Sequence, residues 1–512
     1  MMTMVLERLS GPSWSVMVWP GRRLVLTEAE AEVIATRPFQ RLRRLRQIGL
    51  YGHAAPLADH TRYAHTIGTV WWTAELMRSL DDPAAGSDGS RHLAAMRQIL
   101  AHEGASLDLV VRLFALIHDI ALLPFGHTLR FQLGLIHGAD SFTRCFRRAV
   151  DNIGDEIRPN MADRPSAEAL LWHLELAVAV AHAPRLLAGH TPAIGGPRLD
   201  TEVTDRLMPV LTFVYDLVHG VYGADIIDVC WRDLFAGGRV WDLPASLPVA
   251  GQIIVCRPGD PAWPAPGRTM PASIFRYGIQ AMDGDRVLMD RLTDLSATLD
   301  LRYEVAEKAF FHPRKCAADT MLDKALRSVD DHGGGDLSAG RPPFTDLDLL
   351  EMGDDAFLDL VAQREAAIGE GVRAARDLQA GRIWPEMVHL DGRGLAALED
   401  QVCDSLTAPA GRSSAERRLA GELGIPAEHV ALRLAPRRMQ AKAPDTPIGW
   451  RNGQAIPFDR LCREQGLPLS AASLPMRYAG LRDLSLYVRE GATVAPITAG
   501  RLIEILHGAA CA

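Results

Sequence analysis

Several things are scarce in this sequence. Seven cysteines are scattered over 512 residues with no C-x-x-C pair. That removes both the spacing of a zinc knuckle and the even, clustered count of a disulfide framework. No apolar run reaches the roughly 18 to 20 residues that a membrane span requires. The opening "MMTMVLERLSGPSW" lacks the basic start and long apolar centre of a secretory signal. The expected setting is therefore the reducing cytoplasm, with no membrane partner. Surplus basic charge is missing as well. The formal net charge is −8, whereas broad nucleic-acid surfaces use excess Lys and Arg to displace counterions, so nucleic acid is not the expected partner.

What remains is a chain with 48% hydrophobic and 23% charged residues, the balance of a globular protein with a large core. From Thr27, "TEAEAEVIATRPFQRLRRLRQIGL" reads as helix, opened by a Thr27–Glu30 capping box and split by Pro38. Helical apolar spacing recurs at 61–80, 107–123, 141–152, 167–190, 216–235 and 285–330. The Gly- and Pro-rich stretch 236–275, with pieces such as "GQIIVC", predicts loops and short strands. "DDHGGGDLSAGRPP" (330–343) reads as a linker, and "HVALRLAP" and "DLSLYVREG" beyond it alternate as strands do. The expected fold class is mainly α: an N-terminal segment (1–26), a helical body (27–330) with a variable insert at about 153–205, a linker (331–343), and a smaller α+β region (344–512).

Inside that body, "RLFALIHDIALLPFGHTLRF" (112–131) sets His118 and Asp119 side by side at the apolar centre of an expected helix. Burying ionisable groups costs several kcal/mol unless a partner takes up their charge. A divalent cation is such a partner, because neutral imidazole and carboxylate are both its natural donors. "DHTRYAHTIG" (59–68) offers His60 and His65, and "YGADIIDVCWRDLF" (222–235) offers Asp225, Asp228 and Asp233. Two histidines and two aspartates from three helices suffice for a mononuclear site with positions open to water and substrate. The run "FQRLRRLRQIGL" (39–50), with four arginines between 41 and 46, reads equally as a solvated face or as a phosphate-facing patch.

The order "PFQRLRRLRQIG", "DHTRYAHTIG", "LFALIHDIALLPFGH", "GADIIDVCWRD" resembles the HD-domain phosphohydrolases, and more narrowly their deoxynucleoside triphosphate triphosphohydrolase branch. That branch shows Q-R-L-R-x-x-x-Q-L, then H-x-R-F-x-H, then H-D-x-G-x-x-P-F-[GS]-H, then D-x-x-D-Y-x-x-R-D. "RYEVAEKAFFHPRKCAADTMLDKAL" (302–326) is similar to a later helix of the family, so the likeness follows chain order over most of the sequence. The resemblance implies an HD-type helical core and metal ligands His65, His118, Asp119 and Asp225. It implies Arg62 at the α-phosphate, Gln47 and Asp233 at the sugar, Arg302 at phosphate, and His127 near the scissile bond. His60 has two readings, support for a neighbour or substrate contact. His137 matches either a second active-site histidine or the surface. Arg41 and Arg43 fall in the basic segment of the family.

Departures accompany the match. Ala121 and Leu122 replace a glycine and a polar residue, so a catalytic histidine of part of the branch is missing. Arg130 stands where an acid is usual, Ile226 and Val229 replace a lysine and a tyrosine that grip the triphosphate, and Phe310 replaces a helix tyrosine. Arg130 either substitutes for a lost phosphate contact or fills the pocket. The expected activity is metal-dependent attack of water at the α-phosphorus of a (deoxy)nucleotide, with Mn, Fe, Mg, Zn or Ni as the ion. Its competitors are a shorter nucleotide or an oligonucleotide as substrate, and a nucleotide-binding regulator without turnover. The resemblance also implies a homo-oligomer.

Overall fold

The computed structural model describes residues 2–82, 88–126, 128–129, 139–161, 163–190, 195–239, 251–263, 272–333, 344–369, 371–435, 445–467, 469, 473–491 and 496–510. The fold is mainly α with a smaller α+β region. Helix α1 (Met2–Ser10) leads into an antiparallel hairpin of β1 (Pro12–Trp19) and β2 (Arg22–Thr27). Thr27 then opens α2 (Glu28–Ala35). Its hydroxyl accepts from the Glu30 N–H at 3.2 Å, while the Glu30 carboxylate accepts from the Thr27 N–H at 2.7 Å, so the capping box forms.

The basic run does not continue as one helix. Pro38 lies in the first turn of the four-residue α3 (Arg37–Gln40), where its missing N–H costs nothing. Arg41–Arg44 tightens into a 3₁₀ turn, and Leu45 is extended at φ −112°, ψ 122°. Arg46 instead makes an antiparallel bridge with Thr61, which draws the arginine-rich segment against the start of the next helix.

The body is completed by α4 (Arg62–Leu80), α5 (Gly89–His102), α6 (Leu107–Ile117), α7 (Ala139–Asn160), α8 (Arg164–Leu187), α9 (Thr201–His219) and α10 (Ala224–Ala236). Helix α4 packs on α6 and α10, and α8 packs on α6 and α9. Thr61 caps α4 by accepting from the Ala64 N–H at 3.4 Å, and Ser106 caps α6 from Leu109 at 3.5 Å. Along α6 only Asp108 and Arg112 escape burial, as befits a helix in the interior rather than on a surface. Two of the expected helices among these need correction. The one read over 107–123 stops at Ile117, so His118 and Asp119 follow its C-terminus instead of sitting at its centre. The one read over 216–235 is two helices, broken at Gly220–Gly223.

By length and composition Thr201–Ala236 could cross a membrane, but that break divides it and 78% of its apolar window is buried within the protein. Strands β3 (Gly251–Cys256) and β4 (Ile274–Gln280) pair antiparallel and are joined by Pro447–Gly449 and Ala455–Pro457 in a four-stranded sheet. The helical stretch expected over 285–330 is two helices, Met289–Val305 and Pro313–Gly333, separated by a π turn at Ala306–Phe310, and the second runs three residues into the expected linker (331–343). Glu386–Leu390, Leu484–Val488 and Val430–Leu434 make a second antiparallel sheet. One large apolar core runs from Leu9 through the helical body to Phe357, Trp384 and Phe458. A smaller core gathers Val402, Leu419, Leu432, Leu486 and Leu502. Buried ion pairs bridge them: Lys324 and Arg327 each reach Glu416 at 2.7 Å.

Candidate metal centre

The Thr61 cap fixes the start of α4, and the i,i+3 spacing then sets Arg62 and His65 on one side of it. The close of α6 delivers His118 and Asp119. The first turn of α10 delivers Asp225, where the positive end of the helix dipole favours a carboxylate. These three segments converge. One donor atom from each of His65, His118 and Asp225 lies within 4.8 Å of the others. His65 Nε2 is 3.2 Å from Asp225 Oδ1 and 3.3 Å from His118 Nε2. Asp119 Oδ2 stands 3.7 Å from both imidazole Nε2 atoms. This buried group could hold a metal ion.

The donors are also oriented for that task. His118 Nδ1–H donates to the Ala115 carbonyl at 2.7 Å, which leaves the Nε2 lone pair facing the centre. Burial pushes the pKa of His118 down, toward the neutral form that ligates. His65 Nδ1 lies 2.9 Å from Asp228 Oδ2, and Asp228 is gripped by both Nε and Nη2 of Arg232 at 2.8 and 2.9 Å. An imidazole that donates its far N–H to a carboxylate is the usual partner of a bound cation. Without an ion, burial opposes the charged form of His65, but hydrogen bonds to Asp225 and Asp228 outweigh it and raise its pKa to about 10. Burial likewise opposes ionisation of Asp119 and Asp225. The neighbouring imidazoles, with Arg62 at Asp119 and hydrogen bonds from His219 and His65 at Asp225, hold both carboxyls well below the usual range. Both carboxylates are thus ionised, and without an ion the protonated His65 and the Arg62 guanidinium supply the positive charge beside them.

Close helix contact makes this possible. A Cβ on Gly68 would fall 2.0 Å from Asp228 Oδ1 and 2.3 Å from Arg232 Nη2. Only glycine lets α4 and α10 approach at that level, one turn beyond His65.

Around the cage, Arg62 donates from Nη1 to Asp119 Oδ2 and from Nη2 to the Gln47 carbonyl, both at 2.8 Å. His60 Nε2 is 2.8 Å from Asp233 Oδ1, which fits support for a neighbour. Gln47 Oε1, His60 Nδ1, Arg62 Nε and Asp233 Oδ2 are buried without a partner. Each such atom costs about 1–3 kcal/mol when left unmatched, and the four belong to one connected set. Arg302 is half-buried and lies near the Cys230 thiol of α10. His127, Arg130 and His137 lie outside the described residues.

The basic run is resolved differently. Arg41 is buried and donates from Nη2 to the carbonyls of Ile120 (2.9 Å) and Leu122 (2.7 Å), both in the turns that follow α6, where buried backbone acceptors need a donor. Arg43 lies over the Tyr63 ring at 3.5 Å, and Arg46 pairs with Asp59 and Asp355. These three arginines therefore serve internal partners. Sequence reasoning named Asp228 without a role and overlooked Arg232 and His219. The last has Nδ1 3.0 Å from Asp225 Oδ2. A separate groove of about 650 Å³ beside β2, α4 and α6 includes Arg97 and Arg112, already paired with Asp81, Asp108 and Glu30. It shares no residue with the cage.

No family model matches the chain. An uncharacterized protein of Methanocaldococcus jannaschii is 32% identical over 106 residues, which is 21% of this chain and 18% of that protein. The chain therefore spans under a fifth of that relative's length, and the likeness is local.

Proposed function

We propose that the protein is a metal-dependent phosphohydrolase of HD type acting on a (deoxy)nucleotide, with His65, His118, Asp119 and Asp225 as ligands of one divalent ion. The convergence of His65, His118 and Asp225 within 4.8 Å is the observation that carries this reading. When bound, the ion supplies the Lewis acidity that polarises a phosphoryl oxygen and makes water a nucleophile near neutral pH. Arg62 then positions phosphate. Its guanidinium stays charged, and while Nη1 and Nη2 are held by Asp119 and the Gln47 carbonyl, its Nε has no partner in the protein and is the donor left for a phosphate oxygen. Gln47 Oε1 and Asp233 Oδ2 are buried acceptors awaiting donors, suited to sugar hydroxyls. His60, bonded to Asp233, holds that carboxylate in place. His127, next to Gly126 in the chain, is assigned to give a proton to the leaving oxygen, with Arg302 as a further phosphate contact. The six cysteines among the described residues are free and buried, in keeping with a reducing cytoplasmic setting, and a homo-oligomer is the expected assembly.

The test is incubation of the purified protein with Mn²⁺ or Mg²⁺ and a panel of dNTPs, NTPs and dNMPs. Tripolyphosphate release from a dNTP is the expected result, and inorganic phosphate as the sole product overturns the triphosphohydrolase assignment. A second reading, nucleotide binding without turnover, draws on Leu122. It is buried at 4% exposure three residues past Asp119, where the family resemblance expects a polar group. A thermal shift with nucleotide, and no product under any metal, favours it.

A further inference from the structure

Helix α9 ends at His219, and α10 begins five residues later. The link folds back sharply. A Cβ at Gly220 would lie 2.3 Å from the Asp216 carbonyl oxygen, and one at Gly223 would lie 2.6 Å from that of Val218. Two glycines thus allow a turn that larger residues would open. Its consequence is that the last residue of one helix meets the first turn of the next: His219 Nδ1 is 3.0 Å from Asp225 Oδ2. Both ends of this contact follow the helix dipoles, an imidazole at a C-terminus and a carboxylate at an N-terminus. The ring is further fixed edge-on against His118 at 5.3 Å and Phe114 at 5.6 Å.

The two oxygens of Asp225 therefore have separate tasks. Oδ1 faces His65 Nε2 at 3.2 Å and His118 Nε2 at 3.9 Å, while Oδ2 is turned the other way, to His219. We propose that His219 is a positioning residue that donates Nδ1–H to Asp225 and holds it as a one-oxygen ligand, keeping the remaining coordination positions open for water and phosphate. This rests on the metal-site reading above and adds a residue to it. A carboxylate freed from His219 can rotate and offer both oxygens, or neither, and supports of this kind set metal affinity.

Two complementary variants separate the hydrogen bond from the packing. H219F keeps an aromatic ring against His118 and Phe114 but has no donor. H219N gives up the ring and keeps an N–H at nearly the position of Nδ1. Mn²⁺ dissociation constants are measured by calorimetry on full-length wild type and both variants, with circular dichroism to confirm folding. H219F is expected to bind about 10- to 100-fold more weakly, and H219N to stay within about threefold of wild type. Equal affinity in H219F and wild type overturns the role of His219 while leaving the metal site intact. Weak binding in both variants, with H219N no tighter than H219F, shows that a donor at the Nδ1 position does not restore the site and also overturns it. Failure of the wild type to bind Mn²⁺, Zn²⁺, Fe²⁺, Ni²⁺ or Mg²⁺ removes the metal-site reading itself, and this inference with it.

Discussion

Gly68 on α4 and Asp228 on α10 are in such close approach that a methyl group on the first would sit 2.0 Å from the carboxylate of the second. In an exposed helix Gly→Ala gains about 1 kcal/mol from propensity. Here the sign reverses, since the added carbon must displace the Asp228–Arg232 pair that supports His65. G68A is expected to lose about 1–3 kcal/mol, the usual cost of overpacking, and to weaken metal binding. Urea unfolding read beside a metal titration checks both. A stabilised G68A would show that α4 and α10 are not packed at this level.

Proton exchange gives a second check. His65 has an ordinary pKa near 6.5 and is raised to about 10 in the ion-free cage, where Asp225 and Asp228 overcome the cost of burial. A raised histidine stabilises the fold fully below pH 6.5, and that contribution is lost as pH rises through about 10. The ion-free protein is therefore expected to lose thermal stability across this interval. Loading a cation at pH 8 should expel about one proton, because ligation needs the neutral ring. Calorimetry in buffers of different ionisation enthalpy measures that number, and heats independent of buffer would contradict the protonated state.

Arg41 separates the two meanings of the arginine-rich run. Its guanidinium ties down the carbonyls of Ile120 and Leu122 directly after the His118–Asp119 pair. R41M keeps most of the volume and removes the donors, so a loss of about 1.5–3 kcal/mol in unfolding free energy is expected, the range for hydrogen bonds to charged groups. A phosphate-binding role predicts the opposite pattern: unchanged stability and weaker nucleotide binding.

Asp354 offers a pH signature away from the cage. Its carboxylate accepts from the Phe125 N–H at 2.6 Å and the Arg46 N–H at 2.7 Å, pinning Phe125 at a left-handed φ of 56°. Burial raises its pKa from 3.8 to about 6, against the pull of those two N–H groups. The folded state thus holds the proton more tightly than the unfolded chain, and stability from this group falls as pH rises from 3.8 through about 6. D354N removes that slope and leaves one of the two N–H groups facing an amide –NH₂, at a cost of about 1–3 kcal/mol at pH 7. Denaturant midpoints of both proteins at pH 4 and pH 7 measure the difference. Parallel pH profiles would exclude the assignment.

How far the sequence revealed this arrangement depends on the range of each interaction. Local chemistry was legible: the Thr27–Glu30 capping box spans three residues, and the helix opened by Thr61 carries His65 where its spacing demanded. The His118–Asp119 pair stood out as ionisable residues in an apolar run, but its place after the helix end did not. The turn beyond that end is tied down by Arg41, 79 residues away from Ile120. Asp228 was visible without a role because its partner His65 is 163 residues distant. His219 escaped notice because it meets Asp225 across a turn, six positions on, a spacing that belongs to neither helix nor strand periodicity. The basic run read as a second helix, yet Leu45 is extended and Arg46 bridges to Thr61, a tertiary contact overriding local propensity.

The most direct test of the cage is anomalous diffraction from crystals soaked in a manganese salt, recorded on both sides of the manganese absorption edge. One peak is expected at about 2.0–2.3 Å from His65 Nε2, His118 Nε2 and Asp225 Oδ1, with Asp119 drawn in as the fourth ligand. No peak among these atoms after soaking, or a peak elsewhere with His65 and Asp225 still hydrogen-bonded to each other, would contradict the account.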